Sequence, residues 1–180
     1  MQHAAGIGAM DFLVVPTINF RLLSVLVILR HQRRRLISLS VTDHPTAEWI
    51  ALQITEAFPW DEAPTHLIRD RDPRYGYAVT RRLAAMGIRD HPIAPRSPWQ
   101  NGHAERLIGS IRRECLDHIV ILGEDHLRRV LAAYAACYND VRPHLALAKD
   151  APLSRPVQRL GEVMARPILG GLHHEYCRAW

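Results

Sequence analysis

Lysine is nearly absent from this sequence of 180 residues. The chain has 23 cationic side chains besides histidine, of which Lys149 is the only lysine, so arginine supplies the rest, and the formal net charge is +5. Arginine presents a planar fork of donors that suits bidentate contacts to phosphate. This composition favours a polyanionic partner, although many basic proteins bind none.

Cysteine and long apolar runs are also scarce. Cys115, Cys137 and Cys177 are far apart and form no C-x-x-C pair, which argues against a disulfide framework and a zinc knuckle. The apolar run at residues 22–29 is too short to span a bilayer and lies too far from Met1 to be a signal peptide. We therefore expect a cytoplasmic protein with reduced cysteines and no membrane partner.

The spacing of apolar residues predicts five strands and four helices in one domain. The strands are expected at residues 9–15, 22–29, 36–41, 65–69 and 88–94, and the helices at 46–58, 77–86, 103–118 and 125–138. Since the run at 22–29 is apolar, we expect a central strand covered on both faces. The order indicates an α/β protein with a mixed five-stranded sheet and helices on both faces, a pattern that resembles the ribonuclease-H-like fold.

Beyond Pro143 the sequence pattern loses its regularity. Pro152, Pro156, Pro167 and the pair at residues 170–171, Gly-Gly, would interrupt any long element. We therefore predict one core domain over residues 1–156 and an irregular carboxyl-terminal tail over residues 157–180.

Three carboxylates occupy positions where an acidic group needs an explanation. Asp11 lies inside the first predicted strand, where a charge is paired, bound to metal or placed on a solvated face. Asp70 ends the fourth strand, where α/β sheets bind ligands, although Asp72 in the same turn is a rival. Glu105 lies near the start of a helix, a position that the helix dipole favours without any function. Taken singly, none of the three identifies an active site.

Two longer motifs connect these carboxylates to a known family. Residues 97–106 read Ser-Pro-Trp-Gln-Asn-Gly-His-Ala-Glu-Arg and resemble the signature of the integrase core that bacterial insertion-sequence transposases share with retroviral integrases. Residues 138–144, Tyr-Asn-Asp-Val-Arg-Pro-His, resemble the motif that closes such transposase cores. The resemblance extends over roughly residues 8–156, most of the chain, and implies a ribonuclease-H-like catalytic core.

The resemblance also implies which residues form the site. Glu105 is the signature glutamate, the third member of the family's acidic triad, and its spacing from the second aspartate fits Asp70, 35 positions earlier, better than Asp72. Asp11, on the first predicted strand, matches the first aspartate. Two other aspartates fall outside the predicted strands and fit this position worse; they are Asp43 and Asp61. We therefore expect Asp11, Asp70 and Glu105 to be catalytic.

The same three residues are expected to be metal ligands. Two divalent ions accelerate an in-line displacement at a phosphodiester, because they activate the attacking oxygen and stabilise the leaving one. Mg²⁺ prefers oxygen ligands and keeps positions open for substrate phosphate. We expect two ions, Mg²⁺ or Mn²⁺, with Asp11 bridging them and with Asp70 and Glu105 each completing one site. The implied activity is DNA strand transfer by a polynucleotidyl transferase.

Arginines near Glu105 are candidates for DNA contacts. Arg112 follows Glu105 by seven positions, which is two helical turns, and matches a basic residue that the family places at the DNA end. Arg106 and Arg113 form a neighbouring basic stripe. The remote arginine run at residues 33–35 is instead expected to be a solvated cationic face.

The loop before this helix contributes two further candidates. Ser97 and Gln100 resemble a capping box, although Asn101-Gly102 competes with them as the helix start. Trp99 and Asn101 are placed to contact a DNA base, and Trp99 is equally suited to packing against the helix.

These predictions imply several partners. They are double-stranded DNA at element ends and target, further copies of the chain in a homo-oligomer on DNA, and a separate helix-turn-helix subunit, since the chain begins only ten residues before Asp11. The competing function is a truncated transposase remnant that binds DNA without catalysis. A ribonuclease-H-type nuclease would share the fold and metals, but the Pro-Trp-Gln-Asn-Gly segment points away from it. We expect the protein to be associated with the nucleoid in the cytoplasm.

Overall fold

A mixed sheet of five strands forms the centre of the protein. The computed structural model describes residues 6–59, 62–154, 156 and 158–179. Its strands are β1 (Ile7–Pro16), β2 (Leu22–Arg30), β3 (Leu36–Thr42), β4 (His66–Arg69) and β5 (Arg89–Pro92), in the order β3-β2-β1-β4-β5. The first three strands are antiparallel neighbours, whereas β4 and β5 run parallel to β1. The predicted mixed sheet is thus confirmed.

Four helices cover the sheet on both faces, as predicted. They are α1 (Ala47–Ala57), α2 (Tyr77–Ala85), α3 (Gly102–Glu114) and α4 (Glu124–Ala136). α1 begins where the side-chain oxygen of Thr46 accepts a hydrogen bond from the backbone N–H of Trp49 at 3.1 Å, which satisfies one of the free donors of the first turn. In the described ranges, no helix combines the length and apolarity needed to cross a bilayer.

The alternation of side chains along the strands builds one hydrophobic core on each face. Ala9 and Leu13 of β1 are buried in the core formed with α3 and α4, whereas Met10 is buried in the core formed with α1 and α2. In β2, Val25 belongs to the first core and Ile28 to the second. β2 is therefore covered on both faces, as its apolar sequence predicts.

The carboxyl-terminal segment is more regular than predicted. β6 (Glu162–Ile168) and β7 (His173–Ala179) form an antiparallel two-stranded sheet, which corrects the expectation of an irregular tail over residues 157–180. β6 is exposed almost throughout, so it lacks the apolar alternation by which a half-buried strand is recognised. The division between core and tail at residue 156 stays a prediction.

A histidine connects this hairpin to the rest of the protein. The Nε2 atom of His173 lies 2.7 Å from the carbonyl oxygen of Glu114 at the end of α3. The same imidazole meets the buried ring of Tyr134 in α4 edge to face, with ring centroids 6.3 Å apart. The hairpin is therefore held against the α3 and α4 side of the molecule.

Arg33, at the tip of the β2–β3 turn, is exposed and also makes contacts that the sequence did not predict. Its guanidinium donates to the carboxylate of Asp150 at 2.6 Å and to the carbonyl oxygens of Ala151 and Pro152 at 2.7 and 2.8 Å. Arg33 therefore attaches this turn to the segment that follows residue 149. Its partners lie more than a hundred residues further along the chain, where no local pattern in the sequence could reveal them.

Two apolar residues of α1 provide a test of this packing. Ile54 is fully buried in the core with α2, whereas Leu52 is 52% exposed on the same helix. We expect Ile54→Ala to lower the free energy of unfolding by about 2–5 kcal/mol, because it removes apolar contacts and leaves a cavity. Leu52→Ala is expected to change it by less than about 0.5 kcal/mol. Urea unfolding measures both, and equal effects would contradict the assignment of the buried face.

Candidate active site

Asp11 and Asp70 lie side by side at the centre of the sheet. β1 and β4 pair in parallel with Ala9 opposite Ile68, and extending this register by two residues places Asp11 opposite Asp70. Neighbouring strands are about 4.8 Å apart. Ala9 and Ile68 both pack in the core beneath α3 and α4. Since residues two positions apart share a face, both carboxylates belong to the face that carries α3.

α3 brings Glu105 to the same region. This helix packs against β1, and Glu105 is exposed in its first turn. Burial raises the pKa of the Asp11 carboxyl to about 6; the backbone N–H of Phe12 opposes this shift, and the negative charges of Asp70 and Glu105 increase it. Such effects between charges need close approach. The charges of Asp70 and Glu105 therefore both reach Asp11, and the binding of one metal pair by the three carboxylates stays a prediction.

Asp70 and its rival Asp72 have different environments. The Nε–H of Arg74 donates to Asp72 at 2.8 Å, and the two side chains form an ion pair. This hydrogen bonding holds the pKa of Asp72 below its usual value. Asp70 Oδ1, by contrast, is buried without a hydrogen-bond partner among the described residues, and burial raises the pKa of Asp70. Asp72 is therefore occupied by a cation of the chain itself, whereas Asp70 has a free acceptor.

The other arginines that surround Asp70 in sequence are engaged within the protein. The guanidinium of Arg69 donates to both carboxylate oxygens of Asp90, a residue of β5, at 2.8 and 2.7 Å. Arg71 donates to the carbonyl oxygen of Ile93 at 2.7 Å. These contacts hold the loop after β4 in place.

The donors at this site suit an oxygen-preferring divalent ion. Within the part of the chain that the structure describes, no group of three or more His, Cys, Asp or Glu side chains is already arranged to hold a metal. The negative charges of Asp70 and Glu105 nevertheless act on Asp11, and like charges repel. A divalent cation would offset this repulsion and give Asp70 Oδ1 a partner. Carboxylate oxygens are the ligands that Mg²⁺ prefers, so the donors at this site are of the right kind for it.

The sequence did not indicate Tyr75, which lies beside this site. Its side chain is buried, and its hydroxyl has no hydrogen-bond partner among the described residues. Burial raises the pKa of Tyr75 well above its usual value, and the charges of Asp70 and Asp11 raise it further. The ring packs 5.6 Å from that of Phe12, so Tyr75 borders the acidic site from the α1 and α2 side. Its sequence context does not distinguish Tyr75 from any other tyrosine of a hydrophobic core.

The loop before α3 is organised differently from the predicted capping box. The side chain of Ser97 makes no cap hydrogen bond, and Gln100 accepts instead from the backbone N–H of Ala94 at 2.8 Å. Asn101 is only 2% exposed and donates its amide hydrogen to the carbonyl oxygen of Met10 at 3.1 Å. The predicted contact of Asn101 with a DNA base is therefore wrong. Asn101 ties the loop to β1 beside Asp11.

The remaining candidates for DNA binding lie on the surface. Trp99 is 71% exposed, so it does not pack against the helix as the alternative proposed. Arg106, Arg112 and Arg113 are exposed on α3, and Arg112 donates weakly to the carbonyl oxygen of Val14 at 3.4 Å. Their contact with DNA stays a prediction.

Comparison with known proteins shows what this arrangement resembles. Residues 86–152 match the family model of the integrase core domain. A protein of insertion element IS407 from Burkholderia multivorans is 26% identical over 147 residues, which cover 81% of this chain and 53% of the relative. The chain spans about half the length of the curated relatives it matches.

Solved structures share the fold at low sequence identity. The HTLV-2 integrase catalytic core domain, in a complex with magnesium, is 14% identical with a TM-score of 0.62, over 82% of this chain and 94% of that chain. The catalytic domain of the Mos1 mariner transposase is 16% identical with a TM-score of 0.62, over 74% of this chain and 71% of that chain. These neighbours confirm the ribonuclease-H-like fold.

The sheet and its covering helices have the fold of integrase and transposase catalytic cores. Within that fold, residues 86–152 match the integrase core domain, and the relatives that the chain resembles are insertion-element proteins. The resemblance carried by the motifs at residues 97–106 and 138–144 is thus confirmed.

The position of Asn101 leads to a test of the loop. Asn101→Ala removes the donor to the Met10 carbonyl oxygen and leaves a buried acceptor unpaired. We expect this change to lower the free energy of unfolding by about 1–3 kcal/mol. The exposed Asn19, in the β1–β2 turn, is the matched control, with an expected change for Asn19→Ala below about 0.5 kcal/mol. Denaturant titration compares them, and an Asn101→Ala protein as stable as the control would argue against a positioning role.

Proposed function

We propose that this chain catalyses metal-dependent DNA strand transfer, the joining of insertion-element ends to target DNA. The observation that carries the proposal is the position of Asp11, which the β1–β4 register sets opposite Asp70 and on which the charges of Asp70 and Glu105 both act. The match to the integrase core domain supports it. The solved HTLV-2 core, described as a complex with magnesium, supports the choice of metal.

The three carboxylates have distinct roles in this proposal. Asp11 would be a ligand for both divalent ions, because the charges of Asp70 and Glu105 both act on its carboxyl. Asp70 and Glu105 would each be a ligand for one of the ions. When bound, the ions activate the attacking oxygen and stabilise the leaving oxygen of the phosphodiester. The protein's part is to hold three mutually repelling groups in place and to keep its own cation, Arg74, on Asp72.

DNA binds along the exposed face of α3. Arg106, Arg112 and Arg113 project from this helix, and none of the ion pairs found in the described residues uses them. Arginine forks fix a duplex through its phosphates. Trp99, exposed just before α3, supplies an aromatic face on which a base can stack.

The active assembly is proposed to be a homo-oligomer on double-stranded DNA, with a separate helix-turn-helix subunit that reads the element ends. A solved form of the HTLV-2 core is trimeric, which supports oligomerisation. Association with the nucleoid follows from DNA binding, since the partner is the chromosome itself.

Metal binding is expected to stabilise the folded protein. An ion that binds only the folded site at 100 times its Kd raises the free energy of unfolding by about 2.7 kcal/mol. Mn²⁺ should therefore raise the Tm of the wild type and have little effect on Asp70→Asn, which lacks one ligand. Asp43→Asn is the control, because Asp43 is an aspartate outside the acidic site that pairs with Arg21. An equal Mn²⁺ shift in Asp70→Asn and the wild type would refute the ligand assignment.

Catalysis and DNA binding are expected to separate at Glu105. Glu105→Gln should abolish nicking and joining in Mg²⁺ or Mn²⁺, while metal-free affinity for DNA stays equal or rises slightly, because one negative charge near phosphate is lost. Asp43→Asn should keep wild-type joining. The measurements are a strand-transfer assay and a binding titration on the same duplex. Binding without joining, in wild type and Glu105→Gln alike, would instead support the alternative of a DNA-binding remnant.

A further inference from the structure

A basic pocket lies on another side of α3, next to the acidic site. It has a volume of about 510 Å³ and is enclosed by the tip of the β2–β3 turn, α3 and the segment after residue 137. Its polar lining consists of arginine and histidine side chains with two hydroxyl-bearing residues; these are Arg34, His103, Arg106, Ser110, Tyr138, Arg142 and His144. Among the described residues, no carboxylate lines this pocket.

The cationic side chains of the pocket come from three parts of the chain that meet at one space. Arg34 lies in the β2–β3 turn, His103 and Arg106 lie in α3, and Arg142 and His144 lie in the segment after residue 137; all of them line the same pocket. Burial lowers the pKa of His144, and the charges of Arg142 and Arg34 lower it further, against a hydrogen bond with the Tyr138 backbone and the charge of Glu114. Arg34 therefore acts on a histidine of a different part of the chain.

The protein leaves much of this positive charge without a counterion. Arg142 is paired with Glu114. The ion pairs of the described residues include neither Arg34 nor Arg106. Bringing cations together in a partly enclosed pocket costs free energy that an anionic ligand would recover.

His144 supplies a second sign of an absent ligand. It is only 5% exposed, and its Nε2 atom has no hydrogen-bond partner among the described residues. Its backbone is fixed, because its N–H donates to the carbonyl oxygen of Asp150 at 3.0 Å. A buried polar atom without a partner is destabilising. A phosphate in the pocket would favour the protonated imidazole, whose Nε2–H could then donate to a phosphate oxygen.

The placement of Arg34 is imposed by the fold. Arg33 and Arg34 have φ angles of 51° and 56°, in the left-handed region that residues other than glycine rarely adopt. Such conformations persist only where the surrounding structure holds them. Here the hydrogen bonds of Arg33 to Asp150, Ala151 and Pro152 hold the turn. The neighbouring Arg34 thereby lines the pocket beside α3.

We propose that this pocket binds one phosphate group of the DNA backbone and positions the DNA on α3, an assignment that rests on the proposed function. Arginine forks and protonated imidazoles are suitable donors to phosphate oxygens. Arg106 follows Glu105 directly, and successive residues of a helix are rotated by about 100°. The phosphate held here therefore belongs to a nucleotide near the one at the carboxylates, but distinct from it.

The proposal is tested with two pocket variants, Arg34→Gln and Arg106→Gln. The control variant is Arg35→Gln. Arg35 is an exposed neighbour in the same turn that does not line the pocket. We expect both pocket variants to bind a short duplex of random sequence more weakly and to lower the salt dependence of log K by about 0.9, the value for one phosphate contact. Arg35→Gln should leave both quantities close to the wild type. Thermal unfolding of each variant establishes that it is folded before binding is compared.

Inorganic phosphate is the second probe. Its binding is monitored through the NMR signals of the His103 and His144 rings. Phosphate should shift these signals in the wild type and Arg35→Gln but not in Arg34→Gln. If it does so while duplex affinity is equal in the wild type and Arg34→Gln, the pocket takes a free anion and the DNA assignment is overturned. If neither probe responds to Arg34→Gln, the pocket is not a phosphate site.

The two proposals fail in different ways. A wild-type chain that binds no duplex overturns the proposed function and the DNA assignment together, while the phosphate titration still tests the pocket as an anion site. A wild-type chain that binds duplex with the same affinity and salt dependence as folded Arg34→Gln and Arg106→Gln overturns only the pocket assignment.

Discussion

The parallel pairing of β1 with β4 is the constraint on which the acidic site depends. Ala9 opposite Ile68 sets Asp11 opposite Asp70, and a shift of one residue would turn one carboxylate to the other face of the sheet. Burial of Met10 and Leu67 in the same core opposes such a shift. Hydrophobic packing thus fixes the separation of two groups whose charges repel, and the cost of holding them together is offset by the core.

α3 extends this constraint from the sheet to the surface. Ala104 and Leu107 are buried against the sheet and fix the rotation of the helix about its axis. That rotation leaves Glu105 and Arg106 exposed in the first turn, one toward Asp11 and the other beside the basic pocket. A single helix would therefore present a carboxylate to the proposed metal site and a guanidinium to the proposed phosphate site, because adjacent residues point in different directions.

Local patterns were sufficient for the elements that are half-buried or fully buried. The strands β1 to β4 and the four helices show the periodicity that burial imposes, whereas β5 and β6 are largely exposed and do not. Of these two, only β5, which begins directly after the buried Ile88, was predicted. For the site, Asp11, Asp70 and Glu105 could be selected together only through the family resemblance. Asp72 differs from Asp70 because Arg74 forms an ion pair with it, whereas Asp70 Oδ1 has no hydrogen-bond partner among the described residues. The position of the Arg74 side chain cannot be predicted from residue types or spacing.

The contacts that the sequence did not predict have one physical feature in common. The two partners in each contact are remote from one another along the chain. Asn101 contacts Met10 across 91 positions, and Arg33 contacts Asp150 across 117. Both residues attach a loop to the sheet, one beside the acidic site and the other beside the basic pocket. The acidic site repels phosphate until metal ions bind, whereas the pocket attracts phosphate without them. The proposed pocket would therefore let α3 hold DNA before the metal site is filled.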